Sequence, residues 1–396
     1  MEKISNNSNT LEISKRVFFV IAILFAFLLS LNLMGGSFKL MGKDVAQQII
    51  SITSNPFIGL FVGLLATAII QSSSTSTSMI VAIVASGSLT LENAVPMIMG
   101  ANIGTSVTSS IVALGHVTEK EEFKKAIGAA TVHDFFNLIV VAIIFPLEYF
   151  TGFLSGLGHY VAGLFYSEAF ESKEMFSILG VTVKPVGKWI ISFLGKNALL
   201  IFAVSMVGLI FSLRGFTAVL KKLLIGNSQK ALEKHIFGNP VKSLTWGALI
   251  TASVQSSSVT TSLTVPLVAA DKASLKQVFP FLMGANIGTT VTALIAALSQ
   301  TEAALSVAFC HLFFNLIGVL LLFPIRSIRN IPIFLAETLG TATLRNRMVG
   351  FAYIIITFFA IPFVLIFFTS DVKAQKPQKG IVKEVKVEAP KTVKVK

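Results

Sequence analysis

Gln71-Ser72-Ser73-Ser74 closes the apolar run from Phe57 to Ile70, and Gln255-Ser256-Ser257-Ser258 follows the stretch from Gly247 to Val254. More hydroxyls trail each copy: Thr75, Ser76, Thr77 and Ser78 in the first, Thr260, Thr261 and Ser262 in the second. At membrane depth, such a cluster of small neutral hydrogen-bonding groups is costly unless it lines a cavity or binds something. Two copies point to one site assembled from two halves. A single Ser/Thr-rich stretch could instead serve helix–helix packing. The same register and a leading Gln in both copies favour binding.

Composition fixes the environment. Hydrophobic residues make up 54% and charged residues only 13%, with a mean hydropathy of +0.79. Soluble proteins carry about 25% charged residues, so the chain reads as an integral membrane protein. A span needs about 20 largely apolar residues. Val17 to Met34, Ala198 to Leu213, Ala303 to Pro324 and Val349 to Phe368 are the clearest candidates. Between them, shorter apolar pieces are interrupted by Gly, Pro, Ser and Asn, the pattern of discontinuous helices.

The formal net charge of +13 sits at the ends and in a few loops and does not point to nucleic acid. The segment from Asp371 to Lys396 holds eight Lys against three acids and has no apolar face, so it reads as a disordered, solvated cytoplasmic tail. Contact with anionic lipid is the other reading of that tail. Lys15-Arg16 before the first span predict a cytoplasmic N-terminus, and an anchor rather than a cleaved signal. The basic linker from Arg214 to Lys242 is expected on the same side. Arg326 to Arg347 is basic too, which conflicts with the single span before the tail, and Ile331 to Leu344 reads as a short embedded helix. Cys310, the single cysteine, cannot form an internal disulfide and reads as a small core residue.

The two polar elements lie 255 − 71 = 184 positions apart, and the offset recurs. Asn55-Pro56 matches Asn239-Pro240, and Gly100-Ala101-Asn102-Ile103-Gly104-Thr105 matches Gly284-Ala285-Asn286-Ile287-Gly288-Thr289. Further on, His133-Asp134-Phe135-Phe136-Asn137 matches His311-Leu312-Phe313-Phe314-Asn315 at 311 − 133 = 178. Three motifs in one order make this an internal duplication. Duplicated halves in a membrane protein are the usual signature of a secondary transporter, with its site at the repeat interface.

Each Gln-Ser-Ser-Ser element is expected to break a helix. The free backbone N–H groups and partial positive charge at the start of the second half favour an anion. Hydroxyls can donate to anion oxygens or turn lone pairs to a cation. The glycines permit a break or a close backbone approach, while Asn102 and Asn286 can supply amide oxygens. Asp134 has no acidic counterpart, because the second copy carries Leu312. An acid inside the apolar run Ala126 to Ile144 is a functional candidate, read as a cation ligand in one half only. An Asp–His pair satisfying itself is the alternative. Phe135, Phe136, Phe313 and Phe314 read as packing.

These residues resemble the type II sodium–phosphate cotransporters, over about Pro56 to Leu147 and Val241 to Pro324. The resemblance implies an inverted-repeat helical fold, with phosphate at Ser72, Ser73, Ser74, Ser256, Ser257 and Ser258. It implies one sodium site of Gln255, Ser256, Thr289 and Thr292. Asn102, Asn286 and Lys120 join the phosphate set, and Gln71, Thr105, Asp134, Asn137 and Glu119 the sodium set. Electrogenic members carry an Asp where this chain has Asp134. A family Gln and Arg in the preceding loop correspond here to His116 and Lys120, and Lys lacks the two-pronged fork of Arg. The cysteine-bearing loop of animal members has no counterpart in Tyr166 to Lys188, as in a small prokaryotic relative.

The sequence is therefore read as an all-α polytopic membrane protein with two inverted structural repeats and broken helices. Its expected parts are a cytoplasmic N-terminus (1–16), a first membrane helix with repeat 1 (17–150), inter-repeat helices (151–213) and a basic linker (214–242). Repeat 2 (243–330), a C-terminal embedded segment with the last helix (331–370) and the tail (371–396) complete it. The expected function is sodium-coupled, electrogenic symport of inorganic phosphate in the plasma (inner) membrane, by alternating access with both Gln-Ser-Ser-Ser elements forming the substrate and sodium sites. Sodium ions are co-substrates, no other cofactor is expected, and a homodimer is left open. A sodium-coupled exporter or a carrier of another oxyanion keeps the fold. An intramembrane serine hydrolase using His133 or His311 is the remote alternative, because no nucleophile motif surrounds the serines.

Overall fold

The computed structural model describes residues 2–171, 173–224, 236–298 and 300–370. Among them every regular element is helical. The expected tail (371–396) lies outside the described residues, as does 225–235 of the expected linker. Among the described residues, seven helices are long and apolar enough to cross a membrane: Phe18–Thr53, Leu91–Leu114, Lys120–Thr151, Ala198–Gly215, Leu275–Ala297, Glu302–Leu322 and Met348–Phe368. The chain is a multi-pass, all-α membrane protein.

Two of these seven, Ala198–Gly215 and Met348–Phe368, contain runs expected as spans; Phe18–Thr53 and Glu302–Leu322 cover the other two expected runs except for Val17, Phe323 and Pro324. The other three, Leu91–Leu114, Lys120–Thr151 and Leu275–Ala297, hold the Gly, Asn and Pro residues that made them look interrupted. Their apolar windows are 72–78% buried, so neighbouring helices cover the polar groups that lipid would penalise. By contrast, the Met348–Phe368 window is only 11% buried and leaves Phe363, Phe367 and Phe368 exposed, as a lipid-facing helix should.

In chain order the helices are α1 (Glu2–Thr53), α2 (Pro56–Ile70), α3 (Ser73–Ser86), α4 (Leu91–Gly104), α5 (Ser106–Leu114), α6 (Lys120–Thr151), α7 (Phe153–Glu171), α8 (Lys173–Phe193) and α9 (Ala198–Leu224). Next come α10 (Pro240–Val254), α11 (Ser257–Ser262), α12 (Thr264–Ala269), α13 (Leu275–Ala297), α14 (Glu302–Leu322) and α15 (Arg326–Arg345). The last membrane helix comprises α16 (Met348–Ile355), a π-helical turn (Ile356–Ala360) and α17 (Ile361–Ser370). Helix α1 runs well past the expected Met34 and changes direction at Gly42, whose φ of 86° suits glycine.

The paired motifs fold alike. Pro56 and Pro240 each open a helix at a position where a missing N–H costs nothing, capped by Asn55 and Asn239. The helices so begun pack on the Gly-Ala-Asn helices, α2 on α4 and α10 on α13. At Gly63, Gly100, Gly247 and Gly284, a Cβ would overlap the backbone of the facing helix at Met97, Leu60, Phe281 and Leu244. Glycine here serves close helix approach rather than a break in the chain.

The basic segment after Phe323 forms one helix, longer than the expected Ile331 to Leu344. Helix α15 lies along α6 and buries Pro332, Ile333, Ala336, Gly340 and Thr343. A Cβ on Gly340 would stand 2.5 Å from the Lys124 carbonyl oxygen, so this contact too depends on a missing side chain. Phe334 on the opposite face is exposed.

Candidate functional site

Both Gln-Ser-Ser-Ser elements are true helix breaks, built identically. Gln71 (φ 57°) and Gln255 (φ 56°) adopt left-handed conformations that terminate α2 and α10. Their N–H groups donate to the Thr67 and Thr251 carbonyls, each at 2.7 Å. Ser72 and Ser256 are then extended and cap the next helices, accepting from the Thr75 N–H (3.2 Å) and the Val259 N–H (3.4 Å). Left-handed geometry at a non-glycine residue is uncommon. Its occurrence at the same place in both copies marks a constrained feature.

The two breaks meet. Ser73 Oγ lies 3.0 Å from Ser257 Oγ, its counterpart 184 residues on, and Ser74 Oγ donates to the Gln255 carbonyl at 2.9 Å. One turn deeper, Ser109 Oγ donates to Thr261 Oγ1 at 3.1 Å. Above this junction lies a cavity of about 590 Å³ whose lining includes Gln71, Ser72, Thr75, Thr108, Gln255, Ser256 and Ser258. Helix α9 contributes Ile210, Leu213, Arg214 and Ala218 to the same wall. Thus Gln71, Ser72, Gln255, Ser256 and Ser258, all expected in the site, share one space. Ser73, Ser74 and Ser257 form its buried junction.

Buried hydroxyls without partners occur in the cavity lining, at Thr108 and Ser258, and one turn before each break, at Thr67 and Thr251. Among the described residues, Thr67, Thr108, Thr251, Ser258 and Thr292 have buried side-chain oxygens lacking any hydrogen bond. Thr67 corresponds to Thr251, and Thr108 to Thr292, in the 184-residue register. A buried hydroxyl left unpaired costs about 1–3 kcal/mol, so a repeated set of such oxygens has the character of a ligand set. Thr292 was expected from the sequence; Thr67, Thr108 and Thr251 were not, although the register alone would have paired them. Thr105 and Thr289 instead bond back to the carbonyls of Ala101 (3.1 Å) and Ala285 (2.9 Å) on their own helices.

Asn102, Asn286, Asn137 and His133 belong to a separate buried chain. His133 Nε2 lies 2.6 Å from Asn286 Oδ1, and Ser106 Oγ lies 3.1 Å from His133 Nδ1. An amide oxygen can only accept, so Nε2 carries the proton and Nδ1 accepts from the serine. Asn286 Nδ2 donates to Asn137 Oδ1 at 2.8 Å, and Asn137 Nδ2 donates to the Asn102 carbonyl at 3.0 Å. The corresponding His311 is equally buried, yet neither of its ring nitrogens has a partner among the described residues. One half of the duplication is therefore closed by hydrogen bonds where the other is open.

Asp134 is fully buried and faces the last membrane helix, not the 590 Å³ cavity. Tyr353 Oη donates to Asp134 Oδ2 at 3.2 Å, while Asp134 Oδ1 is buried without a partner. Tyr353 is a residue the sequence reading missed; its signal was a phenol hydroxyl, with Thr357 one turn on, in an otherwise apolar span. Glu119 and Lys120 are exposed at the start of α6, and neither lines the cavity. Nearby, His116 Nδ1 lies 3.1 Å from Glu122 Oε2, and Lys125 Nζ donates to Asp271 Oδ2 at 2.7 Å.

Comparison with known proteins adds a family. The profile of the Na+/Pi-cotransporter family matches residues 26–167 and 208–336, well over half of the chain. Sodium-dependent phosphate transport protein 2A of Rattus norvegicus is 33% identical over 425 residues, covering 87% of this chain and 66% of that protein. Sodium-dependent phosphate transport protein 2B of Homo sapiens is 32% identical over 445 residues, covering 88% of this chain and 64% of that protein. The chain thus spans slightly less than two thirds of the length of these relatives. No solved structure matches it.

Proposed function

The chain belongs to the Na+/Pi-cotransporter family, and we propose that it is a sodium-coupled symporter of inorganic phosphate. The observation that carries the reading is the meeting of the two Gln-Ser-Ser-Ser breaks on one cavity, joined by the Ser73–Ser257 contact of 3.0 Å. Phosphate is a tetrahedral oxyanion, and hydroxyl and amide donors from Ser72, Thr75, Gln71, Gln255, Ser256 and Ser258 surround a space of suitable size. Mostly neutral donors hold an anion without trapping it, as a carrier requires. Sodium is a hard cation that takes oxygen ligands, and the unpartnered oxygens of Ser258 and Thr108 belong to residues lining the same cavity, with Thr292 the register counterpart of Thr108.

In the proposed cycle, the matched halves act as inverted repeats that rock around this junction and expose it to either side in turn. Sodium bound at hydroxyl oxygens offsets the charge of phosphate and fixes the two helix breaks, so transfer without sodium is disfavoured. Asp134, with one carboxylate oxygen free of partners, adds a cation site in one half only and makes the cycle electrogenic. The protein resides in the plasma (inner) membrane, with its basic linker and tail in the cytoplasm. Radiolabelled phosphate uptake into proteoliposomes tests the reading. Uptake should follow an inward sodium gradient, and sulfate should compete poorly. Equal uptake under a potassium gradient would rule the reading out.

A further inference from the structure

We infer that Arg214 is a phosphate-binding residue that guards the mouth of the cavity and sets its preference for anions. The inference rests on the phosphate-transport reading above and assigns the charged contact of that site to an element outside the paired motifs.

Arg214 is the charged residue of the cavity wall among the described residues; every other lining side chain is neutral. It reaches that wall from α9, where Ile210, Leu213, Arg214 and Ala218 follow helical spacing on one face. Other residues of α9 set its position. Gly208 and Gly215 face α1, where a Cβ would stand 2.5 Å from Ser30 Oγ and 3.2 Å from Ile23 Cδ1, respectively. The helix also packs on α3, which begins at Ser73, and on α10, which ends just before Gln255. Arg214 is thereby held beside both breaks at once.

An arginine at the end of an apolar span can also serve only as a positive-inside anchor. In the sequence, Lys221 and Lys222 follow about two helical turns later and suit that role, which does not require a place in the cavity wall. Arg214 makes no hydrogen bond or ion pair with any described residue, and its side chain is exposed. A planar guanidinium offers paired N–H donors matched to two oxygens of a phosphate. The hydroxyls across the cavity, Ser72, Ser256 and Ser258, can take the remaining oxygens. The expectation from sequence gave the cationic contact to Lys120, which lies at the exposed start of α6 and outside this wall.

The test uses the full chain in proteoliposomes, with inorganic phosphate as probe and sodium held saturating. Arg214→Gln should raise the KM for phosphate about 10- to 100-fold, the scale of losing one charged hydrogen-bond partner, and change the maximal rate far less. Arg214→Lys should recover part of that loss. Arg214→Cys gives a comparison within one folded protein, because the native Cys310 is buried. A cationic aminoethyl methanethiosulfonate should restore phosphate affinity, an anionic sulfonatoethyl reagent should not, and phosphate should slow both modifications. A KM within two-fold of wild type for Arg214→Gln overturns the inference, as does equal recovery with reagents of either sign. Failure of the wild-type protein itself to take up phosphate with sodium would overturn the transport reading, and is seen separately in the control arm.

Discussion

Gly104 sits where the C-terminal turn of α4 crosses α2, one turn before Gln71. A Cβ there would stand 2.5 Å from the Leu64 carbonyl oxygen, 2.8 Å from Thr67 Cβ and 3.3 Å from the Ala68 nitrogen. A carbon–oxygen contact needs about 3.3 Å, so Gly104→Ala forces the helices apart by roughly 0.8 Å at the oxygen. These are two backbone atoms and a Cβ fixed to the backbone, so no flexible side-chain end is there to yield. Overpacking of this kind costs about 1–3 kcal/mol. The displaced turn carries Thr67, whose carbonyl holds the left-handed Gln71. A shift approaching 1 Å in a positioned site lowers rates by roughly 100-fold.

The assay is sodium-driven phosphate uptake, normalised to the protein inserted, with thermal unfolding in detergent alongside. Gly104→Ala should lose one to two orders of magnitude in uptake and melt earlier. Gly156→Ala is the control: Gly156 lies in α7 with nothing within 4 Å of its Cβ position, and a helix-interior alanine is favoured over glycine by about 0.5–1 kcal/mol. Wild-type uptake and melting for Gly104→Ala would refute the packing argument, since the close approach would then not govern the break at Gln71.

Other outcomes follow from the contacts around the site. His133→Leu strands Asn286 Oδ1 and should destabilise the protein by about 1–3 kcal/mol, whereas His311→Leu should cost much less because its ring nitrogens lack partners; paired melting curves decide this. Ser73→Ala with Ser257→Ala should show a coupling of about 0.5–1.5 kcal/mol in a double-mutant cycle, and strict additivity would dissolve the proposed junction. Asp134→Gly should reduce the charge moved per phosphate in electrophysiological recordings, and an unchanged ratio would remove its proposed role. Tyr353→Phe deletes the donor to Asp134 Oδ2 and should shift the sodium dependence while leaving the phosphate KM near wild type.

Much of the scaffold was legible because duplication repeats its signal. A polar element alone is ambiguous, but Gln71 and Gln255 share an offset with their flanking prolines and glycines, and the structure gives both the same left-handed break. What the register could not reveal is which backbone a glycine faces. Gly100 and Gly284 looked equally suited to a break or a close approach, and only the position of Leu60 and Leu244 decides for approach. Nor could it show that α4 and α13 remain helical through Pro96 and Pro280, because burial among neighbours is a tertiary property. Tyr353 lies 219 residues from Asp134, a separation across which no local pattern carries information.

Residues present in both halves and residues present in one do different work. The glycines at 63, 100 and 104 and their counterparts at 247, 284 and 288 all abut backbone of the facing helix, so they fix the distance between helices in each half. The charged groups have no such counterparts: Asp134 stands opposite Leu312, and Arg214 lies outside the matched motifs. Packing in a close-fitting interior tolerates little change in volume, which ties each glycine to its partner backbone. A charge at a cavity wall or beside a lone tyrosine is bound only by its own contacts. Changes at the paired glycines should therefore cost folding and all transport together. Changes at Asp134 or Arg214 should instead alter charge coupling or phosphate affinity in a protein that still folds, and the two classes separate in a plot of melting temperature against uptake.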